Sequence, residues 1–165
     1  MGQFAARVTD PVAHPLPPVL TGSPGSPNVL IGGLPAWRGI PLAAAPGLQS
    51  AKLTSDTAIQ SAEAASLAAQ GTPGAPAAKT AEETAKATAA TTMGAMITAI
   101  AGTADIHQCM TPLPVPPHGP GVVIDGSATV LINGLPACFL GNTIVEAVGP
   151  PNKITMGCPT VLIGR

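Results

Sequence analysis

Apolar triplets set between glycines and prolines recur along this chain. Val29-Leu30-Ile31, Val130-Leu131-Ile132 and Val161-Leu162-Ile163 each close a phrase that opens on a glycine and a small residue. The openings are Gly25-Ser26-Pro27-Asn28, Gly126-Ser127-Ala128-Thr129 and Gly157-Cys158-Pro159-Thr160. The first two copies run on into Leu34-Pro35-Ala36-Trp37-Arg38 and Leu135-Pro136-Ala137-Cys138-Phe139, whereas the third breaks off at Arg165. Short β-branched runs bounded by turn residues predict strands, here at 28–31, 122–124, 129–132, 143–145 and 160–163. The step from Val122-Val123-Ile124 through Asp125-Gly126 to the second triplet predicts a β-hairpin or a tight β-corner. Ile154-Thr155-Met156 before Gly157-Cys158 repeats it. The second and third copies start 31 residues apart and the first and second 101 apart. One supersecondary unit is therefore written three times, and one copy carries an insertion of roughly 60–70 residues. Three copies predict threefold pseudo-symmetry.

The insertion, 42–104, has a different pattern. Ala, Thr, Ser, Glu and Lys dominate, and Gly and Pro retreat to the cluster 71–76. Ala and Glu favour helix, which predicts two helices, 49–70 and 78–101, joined by that cluster. Thr80 and Glu83 have capping-box spacing at the second helix's start. Met93, Met96, Ile97 and Ile100 form one apolar stripe at helical spacing, whereas the first helix offers only Leu53, Ile59 and Leu67 as large apolar side chains. The alternative to a packed αα-hairpin is a solvated Ala-rich linker. The organisation predicted is a single domain over 1–165, made of 1–41 and 105–165, with 42–104 inserted.

Composition narrows the class. Nineteen Gly and twenty Pro in 165 residues make turns dense, and Tyr is absent, so the core rests on Val, Leu, Ile and Ala in short strands. So thin a core gains from a metal or a partner subunit. Fifteen charged residues and a formal net charge of −1 argue against nucleic acid, which demands clustered Lys and Arg. The N-terminus has no apolar signal-peptide core and no myristoylation signal. The most apolar stretch, 93–104, falls short of the about 20 residues that span a bilayer. Three cysteines without paired spacing argue against a disulfide framework. The expectation is a soluble protein that begins in the cytoplasm.

Candidate chemistry is confined to the turn-rich parts. His14, His107 and His118 all lie there, with His107 and His118 bracketing the Pro-rich bend 111–117. Cys158 opens the third copy where Ser26 and Ser127 open the others. Three imidazoles and one thiolate fill a tetrahedral zinc site with no open position, which is a structural arrangement. Cys109, two residues after His107, competes for the fourth position, while Cys138 is expected to pack as a small hydrophobe. The alternatives are histidines serving only as turn residues, or an open catalytic site of three histidines and a water, with Asp10 or Asp105 beside it. Arg7 and Asp10 have the spacing of an ion pair, of little worth if exposed. There is no phosphate-binding glycine loop, and Ser23 and Ser26 lack a neighbouring base.

The phrases with their Pro-Ala-Trp-Arg and Pro-Ala-Cys-Phe tails resemble the PAAR-repeat family. Residues 5–14, Ala-Ala-Arg-Val-Thr-Asp-Pro-Val-Ala-His, are similar to the signature called prePAAR. The resemblance covers 1–41 and 105–165. It implies a mainly β fold, a small pointed β-cone that caps the VgrG spike trimer of type VI secretion systems. The zinc near its tip would be held by His14, His107, His118 and Cys158. The implied function is the tip of the secretion spike, not an enzyme, which helps to pierce the target envelope and carry effectors. Such a protein is cytoplasmic before firing and secreted through the apparatus afterwards. An alternative is the delivery module of a larger toxin whose inserted helices bind a chaperone or effector. Another is the tip of a phage-like injection device. The chain departs from the family in Trp37, in Phe139 where Arg is usual, and in an insertion too polar for a membrane.

Overall fold

The structure is a computed structural model that describes residues 2–112 and 117–164. The chain runs β1 (Gln3–Ala5), β2 (Leu30–Ile31), β3 (Leu34–Pro35), a 3-10 turn (Leu42–Ala44), α1 (Ala45–Ala68) and α2 (Ala75–Ala101). It continues as β4 (Ile106–Pro112), β5 (Pro117–Val123), β6 (Leu131–Ile132), β7 (Leu135–Pro136), β8 (Thr143–Glu146), β9 (Asn152–Lys153) and β10 (Cys158–Ile163). The body is β and the insertion is an α-helical hairpin, as the sequence predicts. The centre of the bend 111–117 lies outside the described residues.

The three phrases form one base. Each triplet is the first strand of a tight hairpin or its equivalent: Ile31 pairs with Leu34, Ile132 with Leu135 and Ile163 with Gln3. The partner of the third copy is thus β1, from the other end of the chain, and Phe4-Ala5-Ala6-Arg7 takes the place of Pro35-Ala36-Trp37-Arg38 and Pro136-Ala137-Cys138-Phe139. A cycle of backbone hydrogen bonds closes the ring. Ala6 N–H donates to Cys138 O (2.9 Å), Cys138 N–H to Trp37 O (3.0 Å), and Trp37 N–H to Ala6 O (3.0 Å). Burial follows the same rhythm in all three phrases, with Ile31, Ile132 and Ile163 inside beside Ala5, Ala36 and Ala137. The next layer inward holds Ala6, Trp37 and Cys138 with Leu20, Val123 and Ile154. Trp37 fills there what its small counterparts leave open, and Cys138 packs as a small hydrophobe.

Each tail residue is pinned by a residue that comes next in its unit. Asp10 accepts from Arg7 N–H (2.8 Å), Asp105 from Arg38 N–H (2.9 Å), and Asn142 Oδ1 from Phe139 N–H (2.7 Å). Where Arg gives way to Phe, Asp gives way to Asn, so that pin holds no carboxylate without a cation. The Arg7–Asp10 pair is largely buried rather than exposed (side chains 17% and 5% accessible), so the tail position is a structural pin and not a surface ion pair. Only two residues separate Arg7 from Asp10 and Phe139 from Asn142, whereas the helical hairpin lies between Arg38 and Asp105. The insertion has been spliced into one two-residue link of an otherwise repeating body.

One local alternative is decided and one expectation changes. The stretch 122–132 is a β-corner, not a hairpin: β5 pairs with β4 and β8, while β6 pairs with β7. Both helices begin earlier than predicted, with Pro46 and Pro76 in their first turns, where a missing N–H costs nothing. Thr80 therefore sits inside α2, its hydroxyl donating to Pro76 O (3.0 Å), and does not cap the helix. Leu48, Met93, Ile97 and Ala101 bury the hairpin against Val122, Ile124 and Val145 of the body, so the insertion is packed. No described helix is long and apolar enough to cross a membrane.

Candidate metal centre

Strands leaving the pins climb away from the base, and alternate residues point inward. Two positions past each pin stand Val12, His107 and Ile144, all buried. Four positions past each pin stand His14, Cys109 and Glu146. These three, from three different units, converge with His118 of β5, and one ligand atom from each lies within 4.8 Å of all the others. His14 Nδ1 is 3.3 Å from Cys109 Sγ and 3.3 Å from His118 Nδ1. Glu146 Oε2 is 2.9 Å from His118 Nδ1 and 3.1 Å from His14 Nδ1. Ligands of a tetrahedral zinc ion stand about 3.3 Å apart when metal–nitrogen bonds are about 2.05 Å. Four of the six separations, 2.9–3.3 Å, are close to that value, and the other two are within 4.8 Å.

The surroundings suit a divalent cation. Burial lowers the pKa of His14 and His118, raises that of Cys109, and pushes Glu146 up to about 7. All four groups are thus driven toward their neutral forms by desolvation. A dication with one thiolate and one carboxylate is also neutral overall, and it supplies the charge that stabilises both ionised forms. Asn152 organises the shell behind: it donates to Glu146 Oε1 (3.1 Å) and accepts from the backbone N–H groups of Ala13 (3.0 Å) and His14 (3.2 Å). Such outer partners fix ligand orientation.

Of the four residues expected as ligands, His14 and His118 come together in this cluster. His107 lies one layer below, fully buried, with the Thr21 backbone beside its ring. Cys158 is elsewhere, in the base, paired with Ala5 and with its Sγ 3.3 Å from Thr160 Oγ1. Its place explains why Ser26 and Ser127 are its counterparts: their hydroxyls accept from the N–H groups of Val29 (3.1 Å) and Val130 (2.9 Å), tying down the turn before each triplet. Cys158 occupies that turn position in the third copy. Cys109, the rival ligand, takes its place in the cluster, and Glu146 was not foreseen. The signal was in the spacing: Asp10-x3-His14, Asp105-x3-Cys109 and Asn142-x3-Glu146 are one motif with three different ligands. Cys158→Ser is therefore expected to leave metal content unchanged and to lower the melting temperature by about 2–4 °C, since Cys158 is buried in the base and a typical single substitution costs about 1 kcal/mol. Metal analysis and thermal melting of the variant check this; loss of metal would return Cys158 to the ligand set.

Residues 113–165 match the family model described as the PAAR motif. The chain carries a PAAR motif. The match takes in His118, Glu146 and Cys158, the second and third phrases and the Asn142 pin, so this PAAR segment supplies the second unit, the phrase of the third and half of the candidate ligands. His14, His107 and Cys109 lie N-terminal to it. No curated protein and no solved structure matches the chain.

Proposed function

We propose that this PAAR protein is the tip of a type VI secretion spike, capping a trimeric VgrG-like β-helix with its threefold base. One observation carries the reading. Leu30, Leu131 and Leu162, equivalent by the pseudo-symmetry, are each about equally exposed, at 62%, 60% and 61%. Three like faces on one chain match a partner that has three, and an exposed large apolar side chain repeated at each face fits a docking surface. The short strands that carry them have the geometry for pairing with a partner's terminal strands. The test is mixing the chain with a trimeric β-helix spike and measuring mass by light scattering. One chain per trimer is expected, and Leu30→Asp, Leu131→Asp and Leu162→Asp combined should abolish the complex. Undiminished binding by the triple variant would overturn the docking face.

Zinc is the ion the donor set suits, held by His14, Cys109, His118 and Glu146. Four protein donors leave no open position, which favours a structural over a catalytic role. In that role the ion cross-links three units and β5 at the end remote from the base and keeps the apex rigid under the load of firing. A fully buried imidazole one layer below the cluster, that of His107, favours a second arrangement, in which His107 replaces Glu146 as fourth ligand. Metal content of Glu146→Gln and His107→Leu separates the two, since only the true ligand's variant should lose the ion. Within this reading the chain resides in the cytoplasm until fired, residues 5–14 serve as a prePAAR segment that completes the third unit, and the helical hairpin is the surface open to an effector or chaperone.

A further inference from the structure

The helical hairpin packs on the strands that carry the candidate metal centre, and one polar residue of it reaches the loop behind His118. Lys52 of α1 is buried to 7% accessibility, an uncommon position for an ammonium group. It pairs with Asp56 one turn on, and its Nζ donates to Gly149 O at 2.9 Å. Gly149, at φ 84°, lies flat against the His118 ring: a Cβ there would fall 2.6 Å from Nε2. Only glycine fits, because any side chain would displace the imidazole. The neighbouring Val148 N–H donates to His118 O (3.1 Å). Residues 148–149 thus hold His118 by main chain and by ring, with Nδ1 turned inward to Glu146 and His14. What holds residues 148–149 from outside is Lys52.

We propose that Lys52 latches the hairpin onto the metal centre, so that metal occupancy and hairpin docking strengthen each other. Lys52 is a positioning residue here: it acts on the ion through Gly149 and His118. The two equilibria are linked, so whatever factor the docked hairpin adds to metal affinity, the bound metal adds to docking. The consequence reaches the proposed function, on which this inference rests for its metal. A spike tip whose helices are held firmly only when the apex is loaded would present its cargo surface in one conformation after metal insertion and in a looser one before it.

The experiment uses the full chain, titrated with zinc in competition with a chromophoric chelator, together with amide hydrogen exchange with and without zinc. Lys52→Met is expected to weaken zinc binding about 10-fold, at the lower end of what outer-shell partners contribute. It should also remove the zinc-dependent slowing of exchange in residues 45–68, leaving exchange in the base unaffected. Lys52→Arg, which keeps the charge and the reach, should restore most of both. Should Lys52→Met fail to fold, Asp56→Asn weakens the same latch more gently, and a fewfold loss in the same direction is expected. Native zinc affinity in Lys52→Met, or in Asp56→Asn where the former is unusable, would overturn the latch alone. A native chain that binds no zinc would overturn the metal reading and the latch together.

Discussion

Stripping the metal with a chelator is expected to lower the melting temperature by about 8–16 °C. The estimate takes about 4 kcal/mol from an ion present at roughly a thousand times its dissociation constant, and about 2–4 °C per kcal/mol for a chain of this size. His118→Ala should reproduce the loss and make the melting temperature insensitive to added zinc. Scanning calorimetry with and without chelator measures both, and identical melting in the two conditions would leave the cluster as a buried polar network without a cation.

The metal-free protein should also be acid-labile. His107 is held down to about 4 by burial, against an ordinary value of 6.5, and burial lowers His14 and His118 too. Below pH 6.5 the unfolded chain takes up protons that the folded chain refuses, so stability present above pH 6.5 is lost as pH falls toward 4. For His107 alone this amounts to about 3 kcal/mol. Glu146 acts oppositely: raised to about 7, its contribution is present below its ordinary value of 4.5 and lost as pH rises through 7. Between pH 4.5 and 6.5 His107 and Glu146 offset one another, and the lowered His14 and His118 tip the balance toward loss, whereas below pH 4.5 the histidines act alone. Melting temperature against pH in the presence of chelator should therefore fall below pH 6.5.

The second large effect is expected at Arg38. Its guanidinium donates to both Asp105 oxygens (2.9 and 3.0 Å) and to Gly25 O (3.2 Å), with the side chain 9% and the Asp105 side chain 2% accessible. Arg38→Met leaves Asp105 buried and without its cation, which costs about 3–5 kcal/mol. Equilibrium urea unfolding should show that loss. The double variant Arg38→Phe with Asp105→Asn, copying the Phe139–Asn142 unit already in the chain, should recover a large part of it. A double variant no better than Arg38→Met would mean that the two kinds of pin are not interchangeable.

Much of the body was legible because glycine, proline and β-branched triplets act locally. A phrase such as Gly-Ser-x-x-Val-Leu-Ile specifies its own turn and strand, and three copies announce three units wherever they fall in the chain. The inserted helices were legible for the same reason, although both start earlier than 49 and 78, because Pro46 and Pro76 fit a helix's first turn. The candidate site was half legible. His14 and His118 stand out because histidines are few, whereas Glu146 reads as one more acid until Asn142 is recognised as a pin. Cys158 stands out as the cysteine that opens a repeat in a histidine-poor chain, whereas its equivalence to Ser26 and Ser127 places it at a turn.

By itself the sequence determined the repeating unit, the place of the insertion, the helical nature of that insertion and the short list of donors. Those follow from interactions within about ten residues, which are written in order along the chain. Only the tertiary structure decided that β1 completes the third copy, that Arg38 meets Asp105 across the whole hairpin, and that His14, Cys109, His118 and Glu146 share one point. Each of these joins residues distant in sequence. They are brought together by closing a ring around a pseudo-threefold axis, and ring closure depends on packing among all three units at once.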